Sequence, residues 1–263
     1  MKKLLWILFS LGLVIFIVFG TLTFAVGKKE ADNMKRETIL NKTYQEKIKH
    51  INVNASDAAV TIKKGDQFKV TSVGNKDEFD ITSKVEDETL NVNLKEQNLM
   101  INFNFFKNAY NEIEITVPKN LEQLDIKTDT GKINMHDIKS DNTSLVVDTG
   151  MINVNGSDLG NFEAYSDTGK ILTNKTNFKN GKIQSDTGTV RLNDAPTDTP
   201  LDIETDTGSV RLVYNKTLKN TLLDIEQDVG NTQINRAELK NKKVGSGDNL
   251  VKIRSDVGSV QID

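Results

Sequence analysis

Asp-Thr-Gly is the string in this chain whose residues could most directly do chemistry. In aspartic proteases two copies bring their carboxylates together to share one proton and activate a water. Here Asp-Thr-Gly or Asp-Val-Gly occurs at Asp129, Asp148, Asp167, Asp186, Asp206, Asp228 and Asp256. The matching glycines, Gly131, Gly150, Gly169, Gly188, Gly208, Gly230 and Gly258, are spaced by 19, 19, 19, 20, 22 and 28 residues. Proteolysis needs two special copies held face to face, whereas seven at a near-constant step define an internal repeat. These residues are therefore read as structural corners, and no catalytic residue is assigned.

A column of carboxylates also suggests cation binding. Stacked strands lie about 4.8 Å apart, and unit charges at that distance repel by roughly 1 kcal/mol in water. Backbone N–H groups with Lys132, Lys170, Arg191 and Arg211 could offset this, or Ca²⁺ could. One carboxylate per repeat, without acidic neighbours, favours the first, so no metal and no cofactor are assigned. The chain has no cysteine, which excludes disulfides and thiol chemistry, and its two histidines, His50 and His136, leave little for a zinc site. His136 shares a column, seven residues after the aspartate, with Asn155, Asn174, Asn193 and Asn235. Stacked amides there would hydrogen-bond along the repeat axis. The sequence holds no Ser-His-Asp set and no phosphate-cradling glycine loop. A net charge of -3 with no basic stripe excludes nucleic acid as the main partner.

What must position these residues is legible around each aspartate. Three residues before it stand Ile126, Leu145, Ala164, Ile183, Ile203, Ile225 and Ile253. Four after it stand Ile133, Ile152, Ile171, Val190, Val210, Thr232 and Val260. Two further on come Met135, Val154, Thr173, Leu192, Leu212, Ile234 and Ile262, with mostly polar residues between. This period-2 pattern puts a short strand on each side of Asp-x-Gly. The two inward columns lie an odd number of steps apart, so a straight strand would turn one of them outward. Asp-x-Gly must then be a corner, with glycine supplying a positive φ. Such a unit cannot bury its apolar column alone and is too short for a propeller blade. Stacked coils do bury it. The spacing predicts an all-β chain, a β-solenoid of about seven coils of 19–28 residues with Asp-x-Gly corners. The rod would be on the order of 30 Å long.

The start of the chain predicts a different element. Residues 4–27 carry no charge, follow Lys2 and Lys3, and could cross a bilayer as one helix. Residues 1–27 are assigned as a transmembrane signal anchor of a single-pass cell-membrane protein, the bulk of the chain extracytoplasmic. Ala25-Val26-Gly27 leaves cleavage as the alternative. Residues 28–47 read as a polar stalk or short helix. Residues 48–118 read as degenerate β repeats forming a cap. Its strands are marked by Val60 and Ile62, Phe68 and Val70, Phe79 and Ile81, Leu90 to Leu94, Ile101 to Phe105, and Ile113 to Val117. Within it Ser56-Asp57-Ala58 looks like a decayed copy of Ser255-Asp256-Val257-Gly258. Residues 119–263 form the solenoid repeat domain, and its insertions at 215–221 and 236–248 predict surface loops. The second is flexible and basic through Lys240, Lys242 and Lys243.

Ile115-Thr116-Val117-Pro118, then Leu124-Asp125-Ile126-Lys127-Thr128-Asp129-Thr130-Gly131-Lys132-Ile133, with the serial [Ser/Thr]-Asp-x-Gly-x-[Ile/Val], resembles the putative-adhesin family of domains of unknown function. The likeness covers about residues 50–263. With its N-terminal apolar segment the chain is similar to LiaG-like proteins of bacterial cell-envelope stress operons. The resemblance carries no active site. It implies a membrane-anchored, non-enzymatic envelope or adhesion module. Its partners would be the membrane, through the N-terminal helix, and a cell-envelope polymer or another envelope protein. Two alternatives stay open. A carbohydrate-active solenoid enzyme would need acidic and basic residues converging on one face. A cytoplasm-facing regulatory partner in envelope-stress signalling would need the anchor inverted.

Overall fold

The computed structural model describes residues 36–96 and 111–263, and residues 6, 9, 12, 13, 16–22 and 24 before them. It is nearly all strand: β1 (Glu37–Tyr44), β2 (His50–Lys64), β3 (Phe68–Gly74), β4 (Phe79–Glu86), β5 (Thr89–Glu96), β6 (Asn111–Val117), β7 (Leu121–His136), β8 (Lys139–Asn155), β9 (Asp158–Asn174), β10 (Asn177–Asn193), β11 (Leu201–Val213), β12 (Thr221–Ile234), β13 (Lys243–Val244) and β14 (Asn249–Ile262). All belong to one 14-stranded sheet.

Each long strand changes face on its way. In β8, beyond Ser140, the buried side chains are Thr143, Leu145 and Val147 before the motif, then Ile152 and Val154 after it. The parity reverses across Asp148-Thr149-Gly150, and the aspartate drops out of the pairing ladder while threonine and glycine stay in it. A second reversal falls at Gly160, where Leu159 points inward before it and Phe162 and Ala164 after. Gly160 and its rung neighbours Asp141 and Lys179 also leave the ladder. Only two residues, Asp137 and Ile138, then join β7 to β8. Two kinks and a turn therefore close one coil, and all inward residues share one core.

Successive coils stack in parallel and in register from β2 through β7, β8, β9 and β10 to β11. The order then departs from the chain: β14 lies between β11 and β12. At the other end β5 and β6 pair with successive halves of β2, making one rung interrupted by residues 97–110. Antiparallel β4 on β5, and β3 then β1 on β6, finish that end.

The structure departs from the sequence expectations at several places. Residues 37–44, placed in the polar stalk, form β1. It is an edge strand fixed by pairing with β3, and only Tyr44 is fully buried, so no alternation marks it. Ala58 stands opposite Gly131, which puts Asp57 beside Thr130 rather than in the aspartate column. The insertion at 236–248 is not a free loop. It holds a 3-10 helix, Ala237–Leu239, and β13, and Leu239 is buried with Tyr214 and Leu218 over the end of the stack. The expected strand at Ile101 to Phe105 lies outside the described residues, as does most of the 1–27 anchor. Among the described residues no helix is long and apolar enough to cross a membrane.

Candidate functional site

The most regular surface of the molecule is the outer side of the glycine kink. Register aligns Gly131, Gly150, Gly169, Gly188, Gly208, Gly258 and Gly230 in that spatial order, with φ between 139° and 159°. A Cβ on Gly150 would overlap the carbonyl oxygen of Gly131, and one on Gly169 that of Gly150. Glycine is thus required both by its backbone angle and by the close approach of the next rung. Beside the glycines runs a column of exposed residues, Thr130, Thr149, Thr168, Thr187 and Thr207, continued by Val257 and Val229. Each aspartate stands one residue earlier. With strands about 4.8 Å apart this makes a strip of carboxylates and hydroxyls repeating once per rung.

The basic residues expected to offset the carboxylates do not do so. Arg191 Nε donates to Asn193 Oδ1 at 2.8 Å, and Arg211 pairs with Asp263 at 2.7 Å. Among the described residues none of Asp129, Asp148, Asp167, Asp186, Asp206, Asp228 and Asp256 forms an ion pair. They face water instead, whose dielectric holds the repulsion to about 1 kcal/mol per pair. Tyr165 is the exception among their surroundings. Its hydroxyl donates to Asp186 at 3.2 Å and also meets Asp167. Hydrogen bonding to Asp167, then partial burial and Asp186, hold the phenol proton on far above the usual tyrosine range. Among the described residues no group of three or more His, Asp or Glu side chains is placed to hold a metal ion.

The asparagine column seven residues after the aspartate is paired in part. Asn174 Nδ2 donates to Asn155 Oδ1 at 3.1 Å, and Asn235 donates to Asp263 at 2.6 Å, while His136 sits half-buried beside Asn155. A more regular amide ladder lies six residues before the aspartate. Asn161 donates to Asn142, and Asn180 to Asn161, both at 2.7 Å. Its signal was the same 19-residue step, hidden because polar residues surround it. His50 Nε2 lies 3.5 Å from Glu122, on another face.

Charge also fastens β14 between its neighbours. Arg254 reaches Asp202 and Glu204 of β11, each at 3.3 Å. Asp263 accepts from Asn235, Gln261 and Arg211, and these donors hold its carboxyl below the ordinary range. A groove of about 300 Å³ on the turn side is lined by Lys175, Asn177, Phe178, Asp194, Thr197 and Lys216 among others.

A sequence profile of Toastrack DUF4097 domains matches residues 48–248, from the first degenerate rung to the edge of β14. The chain belongs to the Toastrack family. No curated protein matches it. Among solved structures this Toastrack chain is similar to a putative cell adhesion protein from Clostridium sporogenes, at 16% identity over 87% of this chain and 98% of that one, TM-score 0.40. It is similar to a putative adhesin from Bacteroides fragilis, at 13% identity over 87% and 97%, TM-score 0.47. A putative lipid binding protein from Parabacteroides distasonis is 15% identical over 88% and 98%, TM-score 0.37. Because the Toastrack match begins at residue 48, the degenerate rungs and the regular ones belong to one family unit.

Proposed function

We propose that this Toastrack protein is a non-enzymatic display module of the cell envelope. Its N-terminal apolar segment holds it in the membrane, and the coil stack stands outside as an adhesin-like surface. The observation that carries this reading is the aspartate–threonine strip. A surface that repeats once per rung suits a partner that also repeats, such as an envelope polymer, because many weak contacts add along one line. The glycines shape the kink, and the aspartates keep its outer edge solvated and open to hydrogen bonding. Among the described residues no threonine hydroxyl of the strip is hydrogen-bonded to a carboxylate, which speaks for binding rather than turnover.

Retention of the full chain, in detergent, on purified cell-wall polymer tests the reading. Wild type should be retained, and a variant with Asp148, Asp167, Asp186 and Asp206 all changed to Asn should lose most of it. Equal retention of the two would overturn the strip as the binding surface. Orientation has its own test. Protease added to intact protoplasts should digest the chain beyond residue 28, and full protection would place it on the cytoplasmic side.

A further inference from the structure

The last rung in space, β12, is open on one side. β14 pairs along one edge of it, while on the other β13 pairs only with Thr221 and Leu222, and Leu223 N–H donates to the Lys242 carbonyl. Among the described residues no strand covers that outer edge from Ile225 to Ile234. A bare edge of this length is a template for another strand.

The stretch is complementary to itself. Laid antiparallel on a second copy, Ile225 meets Ile234, Glu226 meets Gln233, Gln227 meets Thr232, Asp228 meets Asn231, and Val229 meets Gly230. Each carboxylate then faces an amide that can donate, and no like charges meet. The kink lies at the centre of this pattern. A two-fold axis along its bisector therefore lays the arm before the kink on the arm after it, with both inward faces over one core. A parallel, in-register continuation would instead stack Glu226 on Glu226 and Asp228 on Asp228.

Two further observations favour a partner at this end. The exposed middle residue of the motif is threonine in five rungs and valine in the two rungs here, Val257 at 47% and Val229 at 61% exposure. Ile225 and Ile234 point inward yet are only partly buried, since among the described residues no further strand stacks on this part of β12. We propose that the β12 edge is a homodimer interface, in which two copies pair antiparallel and join their stacks end to end. The contact is isologous, so it closes as a dimer and does not propagate into a fibre.

Sedimentation equilibrium of the full chain in density-matched detergent tests this. Wild type should be dimeric. Asn231→Asp with Gln233→Glu sets carboxylate against carboxylate at both carboxylate–amide pairs, and should weaken dimerisation by about tenfold or more. Adding Glu226→Gln and Asp228→Asn to that variant reverses the polarity of each pair and should restore the dimer. All four side chains are exposed, so the melting curves of the monomeric forms should superimpose. A monomeric wild type, a dimer indifferent to N231D/Q233E, or a fourfold variant that stays monomeric would overturn the proposal.

Discussion

From β7 to β11 each rung lies on the one that precedes it in the chain, whereas at the C-terminal end β14 takes the place that β12 would fill by order. The inward residues give the reason. β14 presents Val251, Ile253, Ser255, Val260 and Ile262, all buried, and can be covered on both sides. β12 carries Gln227 and Thr232 at the matching positions. Thr232 donates to Gln227, which donates to the Gly258 carbonyl, so this pair satisfies itself toward one neighbour only. Sandwiched between two apolar rungs, such groups would be buried at a cost of about 1–3 kcal/mol each if left unpaired, whereas a second copy of β12 would bring its own Thr232 and Gln227 to meet them. A stack selects neighbours by what each rung can bury. Chain order yields where the connecting segments, 214–220 and 235–248, are long enough to allow it.

The middle and the end of the stack should differ most at the glycines. Gly169 lies between two rungs, and Gly169→Val should cost more than about 3 kcal/mol, through its φ of +154° and overlap with the Gly150 carbonyl. A Cβ on Gly230 would overlap the Gly258 carbonyl too, but Gly230→Val should cost less in the monomer, where the end rung is held from one side only. Urea midpoints that fall equally would deny that the ends are looser than the middle.

A reciprocal exchange sharpens the same point. Val260→Thr in β14 buries a hydroxyl and should cost about 1–3 kcal/mol, while Thr232→Val in β12 should change stability by no more than about 0.5 kcal/mol. If both cost alike, β12 is not the end rung. Both are read from thermal or urea unfolding.

A smaller effect is expected beneath the end cap. Asp198 accepts from the N–H groups of Lys219 and Asn220, at 3.0 and 2.7 Å, and from the Thr221 hydroxyl at 2.9 Å. Burial pushes its carboxyl up, but these donors outweigh it and hold the carboxyl below its ordinary 3.8. A depressed folded-state value stabilises above the unfolded one and is lost as pH falls through the folded one. Asp198→Ala should therefore cost about 1 kcal/mol at pH 7, with the gap to wild type closing below pH 4. A gap that stays constant into acid would remove the carboxylate from the account.

The smallest change belongs to the middle of the strip. Asp167→Asn with Asp186→Asn should leave the unfolding midpoint almost unchanged, and millimolar Ca²⁺ should move neither variant nor wild type. A calcium-dependent rise of several degrees, lost in the double variant, would make the strip a cation site.

Much of the middle of the molecule was legible in the sequence. Alternation of Ile, Val and Leu around each motif is a local property, and so is glycine's access to positive φ, so the inward columns and the reversal between them need no tertiary information. The second kink, at Glu122, Asp141, Gly160 and Lys179, has no common residue type and so left no mark. It is imposed by the rung below. Thr232 and Gln227 broke the pattern visibly, but only the stack reveals that they mark an end.

Local pattern alone is enough to make this chain a β repeat, to choose the side chains that face its core, and to align the aspartates in one column. The tertiary structure alone decided that Ala58 takes a glycine's place, that residues 37–44 are a strand, and that β14 precedes β12 in the stack. Those choices are made between strands far apart in the chain. They compete for the same neighbours through packing and hydrogen bonding, and no local pattern records the outcome of that competition.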